Sequence, residues 1–323
     1  RMPQPRIRLV VTGDDFGYCP RRNRGIVECF LSGAVSNVSL LVNAGSAKDG
    51  AELARRLRYS IPIGLHANLS EGLPICEQLQ KGSSLVNHKG YFHGKMGFRK
   101  ALRNGQLDMA EVELELRAQV TLFCDLTGHL PHHMDGHQHV HILPGVREVF
   151  ACVMSDCQIR FTRVPLEPGL QACSWLPLHL RDFYTQVEQD ARESVGVFLK
   201  HGIRWPDVYI GLTTMGRNMS VARIKTAISH ALETPPAKEN GMTSHRPELA
   251  LVSGVSERDH VLTMELMVHP GYPSLPLEGG CGEGPDDFSQ SSDRQHEMET
   301  LKDPRLLKFY KETKIQLCAF KDL

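Results

Sequence analysis

The residues best suited to chemistry in this 323-residue chain are carboxylates and imidazoles that directly follow apolar, strand-like segments. Asp14 and Asp15 follow the first such segment, His66 follows the third, and three alternating histidines lie within 137–141 after the fourth. Adjacent carboxylates repel each other unless a cation or a shared proton lies between them, and imidazole is the commonest metal ligand. The combination therefore predicts a site for a divalent metal ion.

The two adjacent aspartates can serve one site only if the chain turns where they lie. Neighbouring side chains of a regular strand point to opposite faces of the sheet. Gly13 and Gly17, on either side of the pair, permit such a turn. Aspartate is also common in turns and helix caps, but the histidines that follow two other strands favour a metal site.

The alternating histidines allow two geometries. His137, His139 and His141 would share one face of a strand, whereas only the first and last would share a face of a helix. All three binding one ion would be geometrically awkward, so we expect one ligand, His137, which is nearest the strand end. The other two are expected to contact substrate or to support the ligands. Asp15, His66 and His137 would leave open positions on the ion, as catalytic metal sites do.

This set of residues predicts hydrolytic chemistry. Asp14, beside the ion, could take a proton from water, and His269, which follows a later strand, could protonate a leaving group. Such an arrangement suits hydrolysis of an amide or an ester. Hydrolysis of a phosphoester or a cyclic amide is an alternative, although such enzymes often use two metal ions. Non-catalytic binding by the same fold is a further alternative.

The elements that must position these residues alternate along most of the chain. The predicted strands are 7–11, 35–42, 61–65, 132–136, 159–164, 208–212, 262–268 and 315–320, with helical patterns between them. This alternation, without a Gly-x-Gly-x-x-Gly turn after the first strand, favours a TIM-like (β/α) barrel over an open doubly wound sheet. The carboxyl ends of all barrel strands share one mouth, which would bring the predicted site residues together.

Three long segments interrupt the alternation. The polar stretch 70–105 is too long for an ordinary connection and is expected to be a functional loop or cap. The segment 234–259 is rich in Pro, Ser and Glu and is expected to be a flexible insertion. The segment 271–292 is expected to be a flexible loop at the rim of the site, and we call it the rim loop. We expect a single domain over 1–323.

The composition argues against several classes of protein. Lysine and arginine (37) balance aspartate and glutamate (37), so nucleic acid is not an expected partner. No apolar run reaches the ~18 residues that cross a bilayer, so a membrane span is not expected. Nine cysteines without a C-x-x-C pair indicate reduced thiols and an intracellular, cytoplasmic location. Arg21, Arg22 and Arg24 indicate a solvated helix face.

Five motifs in a fixed order carry a resemblance to a known family. The strings VVTGDDFG, IGLHANLS, HMDGHQHVHILPGV, RFTRVP and MVHPGYP resemble those of the YdjC-like carbohydrate deacetylases. The resemblance implies a barrel-like α/β fold and one divalent metal ion, with Mg or Zn expected. It also implies removal of the acetyl group from an N-acetylated, GlcNAc-type carbohydrate. A homodimer is a further expectation.

The resemblance also implies roles for individual residues. By position, Asp15, His66 and His137 resemble the family's metal ligands, and Asp14 resembles its catalytic base. His269 resembles the proton donor of related deacetylases. Arg163 resembles the arginine that orients the base. The residues expected to contact substrate or to support the ligands are Asp135, His139, His141 and Asn68.

Overall fold

The apolar segment that precedes the two aspartates forms the centre of a parallel sheet. Strand β1 (Ile7–Phe16) has nine of its ten residues buried, as expected for a parallel strand covered on both faces. It pairs along 7–13 with β6 (Leu262–Val268). It also pairs near its start with β7 (Ile315–Cys318) and near its end with β2 (Asn37–Leu40). The first site segment therefore lies in the middle of the sheet.

The computed structural model describes residues 6–56, 60–233 and 261–323. The strand order across the sheet is β4 (Met134–Gly136), β3 (Ile63–Ala67), β2, β1, β6 and β5 (Val208–Ile210), with β7 beside β1. Every pairing is parallel. The predicted α/β class is confirmed, and the carboxyl ends of all seven strands lie at the same edge of the sheet.

Seven of the eight predicted strands are present, and the eighth is reduced to a single bridge. In the predicted strand 159–164, Phe161 makes one parallel bridge, with Arg204. The amide of Met134 donates to the carbonyl of Phe161 (2.9 Å), and the amide of Thr162 donates to the carbonyl of Arg204 (2.9 Å). Within the described part of the chain no ladder joins β4 to β5, so a closed barrel remains a prediction while a curled parallel sheet is observed.

Helices connect the strands. Their bounds are α1 Pro20–Leu31, α2 Ala47–Arg56, α3 Lys95–Arg103, α4 Met109–Thr127, α5 Val146–Asp156, α6 Leu178–Lys200, α7 Val221–Glu233, α8 Asp287–Gln290, α9 Asp293–Leu301 and α10 Pro304–Glu312. The main core cluster joins strand residues such as Leu9 and Leu65 to helix residues such as Phe123 and Phe150. In the described ranges no helix is both long and apolar enough to cross a membrane.

The three long segments differ in what the structure describes of them. The stretch 70–105 contains α3, which the sequence pattern did not indicate. The rim loop contains α8 and makes backbone hydrogen bonds to other loops: Gly280 N–H donates to Tyr18, and Leu73 N–H donates to Cys281, both at 3.0 Å. The predicted insertion 234–259 lies outside the described residues.

Candidate active site

The end of β1 turns as the adjacent aspartates require. Asp15 has a φ of 62°, in the left-handed region, and the pairing with β2 shifts register between Gly13 and Phe16. Aspartate tolerates this conformation better than most residues. The two carboxylates consequently reach the same imidazole: His66 Nε2 lies 3.9 Å from Asp14 Oδ2 and 3.3 Å from Asp15 Oδ1.

The histidine run turns away from its strand immediately after β4. Residues 137–142 form a kinked turn in which Gln138 and His139 have positive, non-helical φ values of 56° and 59°. The three histidines therefore do not share one strand face. Gly136, which precedes the turn, is required by packing, because a Cβ there would lie 2.6 Å from His141 Nδ1.

The predicted ligand atoms form a nearly equilateral triangle. Asp15 Oδ1 lies 3.3 Å from His66 Nε2 and 3.2 Å from His137 Nδ1, and the two nitrogens are 3.3 Å apart. Two ligands of a tetrahedral ion with bonds of about 2.0–2.1 Å lie about 3.3–3.4 Å apart. Asp15 Oδ1 is buried without a hydrogen-bond partner among the described residues. The geometry and the orphaned oxygen both fit a divalent cation.

A carboxylate on the far side of each imidazole fixes that ring. His66 Nδ1 donates to Asp135 Oδ1 (2.6 Å), and His137 Nε2 donates to Glu71 Oε2 (2.8 Å). Metal-binding histidines commonly donate their second nitrogen to a carboxylate in this way. Asp135 was predicted to be a site residue and Glu71 was not, because Glu71 lies in a polar loop with no periodic pattern.

Burial lowers the pKa values of the two imidazoles, and the neighbouring carboxylates raise them. Burial lowers the pKa of His66, but Asp14 and Asp135 outweigh it and raise the pKa to about 10. Burial likewise lowers the pKa of His137, but the carboxylates of Asp15 and Glu71 outweigh it and raise the pKa to about 9. A divalent cation would replace these protons, since ligating imidazoles must be neutral.

Two buried arginines hold the other oxygen of Asp15. Arg294 Nη2 lies 2.9 Å and Arg22 Nη1 3.7 Å from Asp15 Oδ2. Burial raises the pKa of Asp15, but the charge of Arg294 and the two imidazoles hold it well below its ordinary value. The prediction of a solvated face at Arg22 is wrong, because that side chain is fully buried in the fold and turned toward Asp15.

Arg163 lies against the neighbouring carboxylate. Its two terminal nitrogens donate to the two oxygens of Asp14, both at 2.8 Å, which is the bidentate geometry that arginine favours. The same guanidinium lies 3.0 Å from Glu265 and 3.3 Å from Asp135. Glu265, in the middle of β6, was not predicted. Arg163 therefore fixes the direction of Asp14 from within a buried cluster of acids.

His269 lies on the other side of Asp14. Its Nε2 is 3.7 Å from Asp14 Oδ2, and its backbone N–H donates to Glu297 (2.8 Å). Burial lowers the pKa of His269 to about 4 despite the nearby carboxylates of Asp14 and Asp15. The imidazole is therefore neutral at neutral pH, and once protonated it would readily donate the proton.

Three further predicted site residues are buried with their polar atoms turned to the protein. His141 Nε2 donates to the backbone carbonyl of Arg163 (2.7 Å). The side chain of Asn68 bonds the backbone of Ser70 and Glu71, so it shapes the loop after β3. His139 Nδ1 is buried without a partner among the described residues, and burial holds its pKa well below the ordinary value.

The comparisons with known proteins agree with the motifs. The family model for YdjC-like proteins matches residues 8–312. A carbohydrate deacetylase of Danio rerio is 62% identical over 321 residues, which cover 99% of this chain and 100% of that protein. A carbohydrate deacetylase of Homo sapiens is 51% identical over 322 residues, covering 100% of this chain and 93% of that protein.

More distant relatives match less of the chain or share the fold alone. A chitooligosaccharide deacetylase of Serratia marcescens is 38% identical over 138 residues, 43% of this chain and 52% of that protein. A crystal structure from Enterococcus faecalis V583, of a protein named for cellobiose-phosphate cleavage, superposes with a TM-score of 0.66 at 20% identity over 98% of each chain. The resemblance expected from the five motifs is confirmed, and the chain belongs to the YdjC-like protein family.

Proposed function

We propose that this chain is a metal-dependent carbohydrate deacetylase that removes the acetyl group from N-acetylated, GlcNAc-type saccharides. Family membership and the relatives named as carbohydrate deacetylases support the reaction class. The observation that carries the proposal is the triangle of Asp15 Oδ1, His66 Nε2 and His137 Nδ1 beside the carboxylate of Asp14. In this proposal the metal site and the base belong to one buried cluster.

Asp15, His66 and His137 would hold one divalent ion. When bound, such an ion polarises a carbonyl oxygen and makes a water molecule more acidic. One oxygen and two imidazole nitrogens suit zinc, and magnesium, which prefers oxygen ligands, is the other expected metal. Elemental analysis of the purified protein distinguishes the two.

The chain's own residues would move the proton. Asp14, held at both oxygens by Arg163, accepts a proton from the attacking water. His269 Nε2, 3.7 Å from Asp14 Oδ2, then takes that proton and delivers it to the nitrogen of the departing amine. The proton count balances: water supplies the hydroxyl that joins the acetyl carbon and the proton that joins the amine. The neutral state of His269 suits this relay.

The first prediction tests the base. Asp14→Asn keeps the size of the side chain but cannot accept the proton, so we expect bound metal to be retained while acetate release falls about 10²–10⁴-fold. Acetate release from a panel of N-acetylated saccharides measures turnover, and elemental analysis measures metal content. Circular dichroism of the variant controls for folding. Unchanged turnover would defeat the assignment of Asp14.

A single ion is better supported than two. A second group that could hold a metal, Asp14, His66 and Asp135, shares His66 with the first. Both oxygens of Asp14 are already paired with Arg163, and Asp135 Oδ2 accepts from His133 (2.9 Å). Two-metal hydrolysis of a phosphoester or a cyclic amide is therefore less favoured. A metal-loaded wild type that releases no acetate from any saccharide would favour the non-catalytic alternative.

The cellular context remains a prediction. All nine cysteines are free thiols, which is consistent with a reducing, cytoplasmic environment. The N-acetylated carbohydrate is the proposed partner, and nucleic acid is not expected for a chain of zero net charge. The homodimer and the single domain over 1–323 stay predictions as well, and sedimentation of the full chain tests the first.

A further inference from the structure

We propose that Glu71 is a positioning residue for His137, holding the ring so that Nδ1 faces Asp15 and His66. This inference rests on the proposed metal site. Glu71 Oε2 lies 2.8 Å from His137 Nε2, on the edge of the ring opposite the triangle. The Glu71 carboxylate is therefore directed away from the ligand atoms and acts through the imidazole.

The hydrogen bond fixes which nitrogen of His137 carries the proton. A carboxylate has only acceptor sites, so His137 Nε2 must donate to Glu71. A neutral imidazole has a single N–H, and a hydrogen bond at one nitrogen leaves the other with a free lone pair. That other nitrogen, Nδ1, is the one 3.2 Å from Asp15 Oδ1. Glu71 thus selects the tautomer that a metal ligand requires.

Glu71 is itself fixed from several sides. The hydroxyl of Tyr18 lies 3.1 Å from Glu71 Oε1 and must donate to it. The backbone N–H of Glu71 donates to Asn68 Oδ1 (3.0 Å), and Asn68 Nδ2 donates to the Glu71 carbonyl (2.9 Å). The Glu71 side chain is only 15% exposed. Its orientation is set by these contacts more than by solvent.

The same contacts tie the ligand to the rim loop. Because the Tyr18 hydroxyl donates its proton to Glu71, its oxygen is free to accept the N–H of Asp286 in the rim loop (2.9 Å). A chain of hydrogen bonds then runs from Asp286 through Tyr18 and Glu71 to His137. Each of these hydrogen bonds has only one possible donor, so the network favours a single geometry.

The experiment compares Glu71→Ala and Glu71→Gln with Glu77→Gln, a control at an exposed residue of the same loop. The zinc dissociation constant is measured by competition with a chelator at fixed pH. The loss of such a carboxylate partner typically weakens metal binding about 10–100-fold, so we expect that range for Glu71→Ala. Glu71→Gln keeps an acceptor oxygen and should lie between Glu71→Ala and wild type, while Glu77→Gln should match wild type.

A second readout reports the geometry directly. The ¹⁵N chemical shifts of the zinc-loaded protein should show the Nε2–H form of His137 in wild type and a mixture of tautomers in Glu71→Ala. A role in folding alone would change neither the tautomer nor the order of the variants. If Glu71→Ala fails to fold, as judged by circular dichroism, Glu71→Gln carries both measurements.

The outcomes separate this inference from the proposed function. Zinc binding by wild type and Glu77→Gln, with unchanged affinity and tautomer in both Glu71 variants, would overturn the positioning role and leave the metal site intact. Failure of wild type itself to bind zinc, magnesium or another divalent ion would overturn both. Weakened binding with an altered tautomer in Glu71→Ala, and an intermediate Glu71→Gln, is the result we expect.

Discussion

The two imidazoles that face Asp15 are held by different kinds of structure. His66 lies within β3, and the strand pairing places it directly opposite Asp135 of β4. His137 follows β4 in a tight turn, and its carboxylate partner, Glu71, comes from the loop after β3. One ligand is oriented by the sheet itself, and the other by a loop that has to be fixed separately.

The strand-held carboxylate also has more partners than the loop-held one. Asp135 accepts hydrogen bonds from His66, Ser39 and His133, and it lies 3.3 Å from the guanidinium of Arg163. It is fully buried. Glu71 has two side-chain donors and is partly exposed. Removal of a buried group with many charged partners leaves more of them unsatisfied, so the strand-held side should be the more sensitive to mutation.

The largest expected effect is that of His66→Ala. This variant removes one corner of the ligand triangle and leaves the buried Asp135 carboxylate without a donor at 2.6 Å. We expect metal to be lost on dialysis and the melting temperature to fall, because the buried charge of Asp135 loses one of its partners. Elemental analysis and thermal unfolding measure the two effects. Retention of one equivalent of metal by a folded variant would contradict the ligand assignment.

The second-largest expected effect is that of Asp135→Asn, which removes the negative charge that accepts the hydrogen bond of His66 Nδ1. The expected loss of metal affinity is about 100-fold, at the upper end of the usual range for such partners. It should exceed the loss for Glu71→Gln, measured by the same chelator competition. Asp125→Asn, at an exposed position of α4, serves as the control for a lost surface charge. Equal losses of metal affinity in Asp135→Asn and Glu71→Gln would mean that the strand-held and loop-held carboxylates support their imidazoles equally.

The meeting of Asp15, His66 and His137 could be predicted from the sequence. Each follows or ends an apolar, strand-like segment, and parallel strands bring their carboxyl ends to one edge of the sheet. The turn at the two aspartates could also be foreseen, although the structure places the left-handed conformation on Asp15 and Gly17 and not on Gly13. Strand periodicity and the parallel direction of the strands were enough to predict this part of the site.

Four of the supporting residues were not predicted, because nothing local marks them. Glu71 lies in a polar loop, and Arg294 reaches Asp15 from α9, almost the whole length of the chain away. Arg22 belongs to an arginine cluster that is typical of a solvated helix face, yet it is buried. Glu265 interrupts an apolar strand without a local signal. Long-range ion pairs depend on tertiary packing, which a pattern of nearby residues does not report.

The loop-held side depends on one helix. Gln119 of α4 bonds both backbone atoms of Asn68: its Nε2 donates to the carbonyl (2.7 Å) and its Oε1 accepts from the amide (3.0 Å). One turn earlier, the carboxylate of Glu115 accepts from the amides of Ile75 and Cys76. The loop that carries Glu71 is therefore fixed by α4 on both sides of that residue.

The smallest expected effect on the site is that of Glu115→Gln. This variant should remove a pH dependence of stability that the wild-type glutamate causes. Burial raises the pKa of Glu115 from an ordinary 4.5 to about 7, although the amides of Ile75 and Cys76 act to lower it. Since the folded pKa is the higher one, this contribution to stability is full below about pH 4.5 and is lost as the pH rises through about 7. Glutamine does not titrate and lacks this dependence.

The free energy of unfolding of wild type minus that of Glu115→Gln should therefore fall by about 3 kcal/mol between about pH 4.5 and pH 8. Urea denaturation at several pH values measures the difference, with Glu77→Gln as the exposed control. A difference that does not change with pH would mean that the pKa of Glu115 is the same in the folded and unfolded chain, and would contradict the raised pKa of the buried carboxylate.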